Sequence, residues 1–241
     1  MEKKIGIIQS NFLPWKGYFD FIASVDNFVF YDTCQYTKRD WRNRNRIKVL
    51  NGSPWISVPV HTKGKFHQQI CETKISDESW AQNIWNKLDF NYKSAPHFEF
   101  VRKTLFEDCL FKIKSINLSE VNQEVIKYIC REMLGIKTEF FSSQDFSFDN
   151  DRNLKLIQIT RALGGTEYVS GQAAKVYLDE KLFTENKIKL SFMSYDGYST
   201  YNQLGDDFDH FVSILDLLMM EGPNAKNKLL TNQKSSLNNA A

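Results

Sequence analysis

The alternation of apolar and polar positions predicts a chain in which strands and helices follow one another. Residues 4–8 are almost entirely apolar, as expected of a strand buried on both faces of a sheet. A loop punctuated by Pro14 and Gly17 follows, and apolar residues then recur at helical spacing up to Val25. A second aromatic and β-branched run covers residues 27–31. This order predicts a right-handed βαβ unit, and ligands bind beyond the carboxyl ends of such strands.

An antiparallel hairpin is predicted next. Two strand-like runs, residues 47–50 and 55–58, flank Asn51 and Gly52. Asn-Gly between two such runs is the strongest short hairpin signal, because both residues tolerate the backbone conformation of a tight turn.

The later pattern completes an α/β prediction. Apolar positions recur at helical period through residues 79–135, and strands and helices alternate again afterwards. The fold class expected is α/β: a mixed sheet opened by the βαβ unit, with the antiparallel hairpin and a helical segment. We expect a single domain over residues 1–222, with 79–135 as a helical insertion and 223–241 as a flexible tail.

Composition narrows the classes of protein. The chain has 241 residues, 42% of them hydrophobic, and a formal net charge of +2, which excludes a histone-like coating of nucleic acid. The first residues turn polar too soon for a signal peptide, and no apolar run is long enough to span a bilayer. The four cysteines and four histidines lack metal-ligand spacing, so we expect no metal site, no cofactor and a cytoplasmic protein with reduced thiols.

The strongest local charge lies in residues 38–48, which hold six cations and one acid. If the segment is a strand, one face carries Arg42, Arg44, Arg46 and Lys48, and the other carries Trp41, Asn43, Asn45 and Ile47. Cations on one face repel each other, so this arrangement is favoured only where something anionic is bound or acids from elsewhere in the chain compensate. A phosphate-bearing partner is the more specific prediction. The alternative is a solvated edge strand whose arginines prevent pairing with another chain.

Two loops between a strand and a helix supply further candidate binding residues. Gln9 and Asn11 follow the first strand and carry amides that can read a ligand's hydrogen-bonding edge. Lys16 lies where the first helix begins and adds a cation to its exposed N–H groups. Ser170 and Gly171 precede a later helix and can hold a phosphate or carboxylate there. Ordinary turn and capping chemistry is the alternative for each.

Candidate catalytic residues follow the second strand and the hairpin. Asp32 can act as a general base or accept a substrate hydroxyl, and it can equally cap a turn. His61 follows a strand end and is the second candidate base, and Lys38 is a third candidate that could also assist phosphate binding. Gln35 and Tyr36 lie close to Asp32 in the sequence and are expected in the same binding site.

Several blocks of sequence together resemble the WbqC-like protein family. The quoted blocks are Ile-Gly-Ile-Ile-Gln-Ser-Asn-Phe-Leu-Pro-Trp-Lys-Gly-Tyr-Phe at 5–19, Gln-Tyr-Thr-Lys-Arg-Asp-Trp-Arg-Asn-Arg-Asn-Arg-Ile-Lys at 35–48, Tyr-Val-Ser-Gly at 168–171, Tyr-Leu-Asp at 177–179 and Ser-Ile-Leu-Asp-Leu-Leu at 213–218. The resemblance runs in order from about residue 3 to about residue 222. The usual Gln-Pro after the first strand is Gln9-Ser10 here.

The resemblance implies a cytoplasmic bacterial enzyme of surface-polysaccharide (O-antigen) biosynthesis that acts on nucleotide-activated sugars. The expected reaction is transfer of an acyl or aminoacyl group to the amine of a nucleotide-linked amino sugar, with a donor such as charged tRNA. The three arginines 42, 44 and 46 would bind the diphosphate, and Gln9 and Asn11 would read the sugar or base. Asp32 or His61 would take the proton from the attacking amine.

Two other functions stay open at this point. An RNA- or tRNA-binding module would use Tyr36, Trp41 and Trp55 to stack bases beside the cations. A nucleotidyltransferase-like enzyme is suggested only by the βαβ start, and the first loop lacks the histidine pair expected of it.

Overall fold

A computed structural model describes residues 2–149 and 151–232 of the chain. Its strands are β1 (Lys4–Ile8), β2 (Asn27–Phe30), β3 (Arg44–Arg46), β4 (Trp55–Ser57), β5 (Glu139–Ser142), β6 (Glu167–Ser170) and β7 (Lys189–Phe192). Five of them form a parallel sheet in the order β5-β2-β1-β6-β7, and β3 pairs with β4 antiparallel in a second sheet. The predicted α/β class is confirmed. The hairpin forms a sheet of its own, so the large sheet is parallel throughout rather than mixed.

Helices connect the strands. The α-helices are α1 (Lys16–Ala23), α2 (Trp80–Tyr92), α3 (Phe98–Val101), α4 (Leu118–Tyr128), α5 (Arg152–Ala162), α6 (Glu180–Glu185) and α7 (Ile214–Glu221). The π-helical turns Arg102–Glu107 and Ile129–Met133 extend α3 and α4. Short 3₁₀-helices cover Ile70–Glu72, Leu110–Lys112, Ser143–Asp145, Gln172–Val176 and Gly222–Lys228. The predicted helical segment at 79–135 therefore contains α2, α3 and α4.

The βαβ unit is formed by β1, α1 and β2. Strands β1 and β2 lie side by side with Ile5 opposite Asn27 and Ile7 opposite Val29. The ring of Phe21 on α1 occupies the space beside Gly6 that a side chain would need. A Cβ at this position would lie 2.5 Å from the ring. The close approach of helix and strand thus depends on a glycine in the centre of β1.

Alternating side chains of the sheet build two cores. Phe28 and Phe30 face α1, the helical segment, the hairpin and α7. Ile5, Ile7 and Val29 face α5 and α6 on the opposite side. The sheet is therefore covered on both faces, which explains why its central strands read as continuous apolar runs.

The carboxyl-terminal residues differ from the expected flexible tail. After α7 the chain forms the 3₁₀-helix at Gly222–Lys228, and Leu229 and Leu230 are buried. The N–H of Leu230 donates to Asp20 Oδ2 on α1 at 2.8 Å. Residues 223–232 are thus packed, whereas the remainder of the expected tail, 233–241, lies outside the described residues.

Candidate functional site

The order of the strands marks one end of the sheet as a binding position. From β1 the chain moves to β2 and β5 on one side, and β6 and β7 are added on the other. Connections that leave neighbouring strands in opposite directions open a crevice at their carboxyl ends, here between β1 and β6. A cleft of about 400 Å³ lies there, and we call it the sheet-end cleft. It is lined by Ile7, Ile8, Gln9, Tyr31, Cys34, Arg152, Lys155, Leu156, Tyr168 and Tyr177.

Two cations reach the sheet-end cleft from the first turn of α5. Asp151 caps this helix, because its Oδ1 accepts the N–H groups of Asn153 and Leu154 at 2.8 Å each. Arg152 and Lys155 follow within the same turn and line the cleft. Neither cation forms an ion pair with a carboxylate among residues 2–149 and 151–232. Their charge is therefore available to a ligand.

Aromatic rings hold the two cations in place. The guanidinium of Arg152 lies 4.8 Å from the ring centroid of Tyr177, and Nζ of Lys155 lies 5.8 Å from that of Tyr31. A ring face attracts a cation without neutralising it. Tyr177 is also an exposed large side chain, 47% accessible, so part of its ring is open to a ligand.

Burial favours the uncharged form of two side chains at the cleft, Tyr168 and Cys34. Burial raises the pKa of Tyr168, whose hydroxyl lies 3.4 Å from Ser170 Oγ. Burial also raises the pKa of the Cys34 thiol, and Sγ donates to the carbonyl oxygen of Tyr31 at 3.2 Å. A protonated thiol is a poor nucleophile. The cleft is therefore electropositive, with Gln9 and Tyr168 as its neutral hydrogen-bonding groups.

Two arginines of the basic hairpin, which we define as residues 38–58, form ion pairs with acids of the chain itself. Arg42 is nearly buried; NH1 donates to Asn11 Oδ1, and NH2 lies 3.6 Å from Asp40 Oδ2. Arg46 forms an ion pair with Asp209 at 3.3 Å. These two arginines therefore meet acids or amides of the chain itself.

Arg44 differs from its neighbours because its partner is a ring. Its guanidinium lies 3.9 Å from the ring centroid of Trp55, and NH2 donates to the carbonyl oxygen of Arg39. The prediction that Arg42, Arg44 and Arg46 bind a diphosphate together gains no support, because two of them are neutralised. The predicted alternation of faces holds within β3, where Asn45 is buried between the two half-buried arginines 44 and 46.

A second cleft lies beside the basic hairpin, and we call it the hairpin groove. It measures about 360 Å³ and is lined by Asn11, Pro14, Trp15, Trp41, Asn45, Arg46 and Phe211. The structure thus brings together three of the predicted site residues, Asn11, Trp41 and Arg46. Asn45 is structural: its Nδ2 donates to the carbonyl oxygens of Phe12 and Leu13 at 3.2 and 2.8 Å.

Asp32 is enclosed by the protein and is not accessible to a ligand. It is fully buried; Oδ1 accepts the N–H of Ser10 at 2.8 Å, and Oδ2 accepts the Ser119 hydroxyl and, at 3.2 Å, Gln123 Nε2. A carboxylate whose oxygens are all engaged and inaccessible cannot take a proton from a substrate. In this structure Asp32 joins the loop after β1 to α4, and the geometry does not support its predicted role as the base.

Three more of the predicted site residues lie at the surface. His61 and Lys38 are exposed and line none of the clefts described here. Gln35 donates to the carbonyl oxygen of Phe66 at 2.9 Å. Catalytic roles for His61 and Lys38 and a binding role for Gln35 therefore stay predictions that the geometry does not support.

Four more predicted residues have structural partners. The Tyr36 hydroxyl is buried and donates to Asn43 Oδ1 at 2.9 Å, and Asn43 Nδ2 donates to the carbonyl oxygen of Val58 at 2.8 Å. Ser170 is buried at the end of β6, beside Tyr168 of the sheet-end cleft. Gly171 is the N-cap residue of the 3₁₀-helix Gln172–Val176. Tyr36 and Asn43 hold the hairpin together, and Ser170 and Gly171 border the cleft without lining it.

Lys16 points inward rather than towards the start of α1. It is 2% exposed, and its Nζ lies 2.8 Å from Nδ1 of His210. Burial lowers the pKa of Lys16 to about 8, and Asp216 and Asp20 offset part of the effect. The prediction that Lys16 contacts a ligand phosphate is not supported, because the ammonium group is enclosed.

Of the predicted residues, only Gln9 lines the sheet-end cleft, and sequence reasoning missed its cations. Arg152 and Lys155 stand three positions apart in the first turn of a helix that leads into β6. The spacing itself was a usable signal, since residues i and i+3 share a helix face. Its meaning depends on β6 lying next to β1, which the sequence pattern did not predict.

The part of the chain that the structure describes contains neither a candidate metal site nor a candidate membrane-spanning helix. No group of three or more His, Cys, Asp and Glu side chains there is arranged to hold a metal ion. Among the same residues no helix combines the length and apolar character that a membrane span requires.

Comparisons with known proteins agree with the resemblance found in the sequence. The model of the WbqC-like protein family matches residues 9–228. The chain is also 46% identical over 227 residues to an uncharacterized protein of Mycobacterium tuberculosis (strain ATCC 25618 / H37Rv), Rv1507c; the match covers 94% of this chain and 97% of that protein. No solved structure matches the chain.

Proposed function

The chain belongs to the WbqC-like protein family, and from that premise we propose that it is an enzyme of bacterial surface-polysaccharide biosynthesis that binds a nucleotide-linked sugar in the sheet-end cleft. The reaction we propose is transfer of an acyl or aminoacyl group to an amine of that sugar. The phosphate-binding groups are those of α5 rather than those of the basic hairpin.

One observation carries the proposal: Arg152 and Lys155 lie at the crevice between β1 and β6, and neither forms an ion pair within the described residues. Guanidinium and ammonium groups donate strong hydrogen bonds to phosphate oxygens. A position beyond the carboxyl ends of parallel strands is where α/β folds bind nucleotides. Charge and position thus favour the same class of ligand.

The neutral groups suit the rest of a nucleotide-linked sugar. The cleft of about 400 Å³ falls within the range of small-molecule sites. The exposed ring of Tyr177 offers a surface on which a base can stack, and the Gln9 amide can both donate and accept hydrogen bonds. Such a pocket would orient the ligand through its phosphates and base.

The proposed transfer forms two bonds and breaks two. The sugar amine attacks the acyl carbon of the donor, a C–N bond forms, and the bond from that carbon to the donor's oxygen or sulfur breaks. The amine proton leaves with the donor's alkoxide or thiolate. Holding the amine beside the acyl carbon is the contribution expected of the protein, because positioning alone can supply about 7 kcal/mol or more of the barrier.

An RNA-binding function is the second candidate, and the exposed tryptophans of the basic hairpin favour it. Trp41 and Trp55 are 40% and 39% exposed, their rings lie 5.3 Å apart, and Arg44 stacks on Trp55. Rings beside a cation are the arrangement on which single-stranded bases stack. RNA binding through many phosphates weakens steeply with salt, whereas binding of one diphosphate weakens shallowly.

A thermal-shift screen tests the proposal. UDP-, dTDP- and GDP-linked amino sugars are added to the wild type, to Arg152→Ala, to Lys155→Ala and to the control Lys63→Ala, which removes an exposed lysine outside the cleft. A ligand at 100 times its Kd stabilises the native state by about 2.7 kcal/mol. We expect a shift for the wild type and the control that is reduced in both cleft variants. Equal shifts in all four proteins would contradict the assignment of the cleft, and no shift with any of the ligands would contradict the proposed substrate class.

A further inference from the structure

A third cleft shares the lining residues Trp15 and Phe211 with the hairpin groove, and we call it the His210 groove. It measures about 440 Å³ and is lined by Trp15, Tyr195, Asp196, Gly197, Tyr198, His210 and Phe211. It shares no lining residue with the sheet-end cleft. Its contents are therefore independent of the phosphate site.

Aromatic rings form the walls of the His210 groove. Trp15 lies 5.1 Å from Tyr195, 6.1 Å from Tyr198 and 5.1 Å from Phe211 between ring centroids. Phe211 is 59% exposed, although Trp15 beside it is half-buried. An exposed phenylalanine at the mouth of an aromatic cleft leaves ring surface that a ligand can cover.

A buried lysine sets the hydrogen-bonding character of the imidazole in this groove. Lys16 Nζ lies 2.8 Å from His210 Nδ1 and within 4.7, 5.1 and 5.4 Å of the ring centroids of Tyr198, Tyr201 and Phe208. An ammonium group only donates, so Nδ1 must accept, and the ring hydrogen of the neutral imidazole is on Nε2. Burial, and then the Lys16 charge, lower the pKa of His210, which keeps the ring neutral.

The carboxylates near Lys16 raise its pKa but form no ion pair with it. Asp216 accepts hydrogen bonds from Tyr92 at 2.8 Å and from Tyr201 and Gln203 at 2.7 Å each. Asp216 forms no ion pair with Lys16 in the described residues, nor does Asp20. Burying an ammonium group is costly unless it has a partner, and the partner here is the ring of His210.

We propose that the His210 groove binds an uncharged sugar ring, whose apolar face packs on Trp15 and Phe211 and whose oxygen accepts the Nε2–H of His210. The C–H faces of a pyranose pack on aromatic rings, and its hydroxyls both donate and accept. Asp196 at the rim supplies a carboxylate for a sugar hydroxyl. That negative charge disfavours a phosphate in the same place.

The test uses free N-acetyl-D-glucosamine and, in a separate arm, adenosine, with ¹⁵N-labelled protein observed by NMR. The sugar is expected to shift the Trp15 indole and His210 ring signals, with ¹⁵N values that place the ring hydrogen on Nε2. Phe211→Ala and His210→Ala are each expected to weaken binding about fivefold or more, whereas His210→Gln, which retains an N–H donor, should restore most of the affinity. Phe90→Ala is the matched control, because Phe90 is an exposed phenylalanine on α2 outside the groove.

Three outcomes would overturn the proposal: adenosine binding in place of the sugar, a ring hydrogen on Nδ1, or unchanged sugar affinity in Phe211→Ala. The variant Lys16→Met tests whether Lys16 sets the tautomer of His210 or only fills space in the core. Without the ammonium group the His210 pKa should rise and both tautomers should be populated, whereas a merely structural lysine would leave the histidine titration unmoved. Because the probe carries no phosphate, these results do not depend on the nucleotide-sugar screen.

Discussion

The basic hairpin and the sheet-end cleft both place cations beside aromatic rings, but two arginines of the hairpin are ion-paired, whereas neither cation of the cleft forms an ion pair in the described residues. Arg42 and Arg46 meet Asp40 and Asp209 at 3.6 and 3.3 Å. The two cations of α5 meet rings and no carboxylate in the described part of the chain. The number of cations in a segment of sequence therefore does not measure the charge that a ligand meets.

The difference follows from what each region must hold together. The hairpin has no place in the large sheet, so side chains bind it to the loop after β1: Arg42 contacts Asn11, and Asn45 contacts Phe12 and Leu13. The helix α5 is already anchored by apolar packing against the sheet, where Leu156 and Ile157 are buried. Its first turn is thus free to present cations. The predictions that follow test this division, beginning with the largest effect.

Asp32→Asn should destabilise the protein by about 3 kcal/mol, measured by urea unfolding. The amide group would place a donor against the N–H of Ser10 or the amide of Gln123, leaving buried groups without an acceptor. Asp207→Asn, at an exposed position, is the control and should change the free energy of unfolding little. Wild-type stability together with loss of ligand binding would instead make Asp32 a site residue.

Arg42→Ala should cost about 1–2 kcal/mol of stability without changing the affinity for a nucleotide-linked sugar. The side chain is 12% exposed, and its removal leaves Asn11 Oδ1 without this donor. Unfolding in urea and titration calorimetry measure the two quantities. A loss of affinity at unchanged stability would return the phosphate site to the hairpin.

The pH dependence of stability should identify Lys16 as a buried cation. Its pKa in the native state is about 8 and the ordinary value is 10.5, so between these pH values the unfolded state binds more protons. The contribution of Lys16 to stability therefore rises as pH increases from about 8 towards 10.5. The charges of Asp216, Asp20 and Lys228 also affect the pKa of Lys16. Urea unfolding at pH 7, 8 and 9 measures how the free energy of unfolding changes with pH under all of these influences together.

Comparison with Lys16→Met isolates that contribution. The buried tyrosines, whose pKa values are raised, act in the opposite direction mainly near and above their ordinary value of 10.0, and therefore contribute little between pH 8 and 9. The variant should lack the rise between pH 8 and 9. An identical pH profile for both proteins would show that Lys16 keeps its ordinary pKa.

Arg46→Ala should have the smallest effect on stability, below about 1 kcal/mol. Its ion pair with Asp209 is partly exposed, and the buried Nε has no hydrogen-bond partner in the described structure, so its removal also relieves an unsatisfied donor. Urea unfolding at low and high salt checks this. A cost above 2 kcal/mol would show that the hairpin depends on this pair more than its exposure suggests.

Local patterns predict the positions of several elements of the fold. The apolar run 4–8 is β1, and the helical period of 79–135 covers α2, α3 and α4. The predicted hairpin forms, but its first strand is Arg44–Arg46 rather than the run 47–50. Gly52 has φ +97°, which shows why a glycine ends the turn of this hairpin. The resemblance to a family, read from short motifs, was confirmed by the family model over residues 9–228.

The partners of charged side chains could not be predicted in the same way. Asp209 reaches Arg46 across more than 160 positions of the chain, and Ser119 reaches Asp32 across 87. Neither contact leaves a periodic signal, since each depends on how α4 and the segment before α7 pack against the sheet. The site residues near β1 were consequently chosen by type, and of these only Gln9 lines the sheet-end cleft.

We propose that the cations of α5, and not those of the basic hairpin, hold the ligand's phosphates. Titration calorimetry with the nucleotide-linked sugar that gives the largest thermal shift tests it in three proteins: wild type, Lys155→Ala and Arg44→Ala. We expect Lys155→Ala to raise Kd about tenfold or more, which is about 1.4 kcal/mol, and Arg44→Ala to leave Kd within about threefold. The reverse order of the two variants would contradict the account and return the binding site to the basic hairpin.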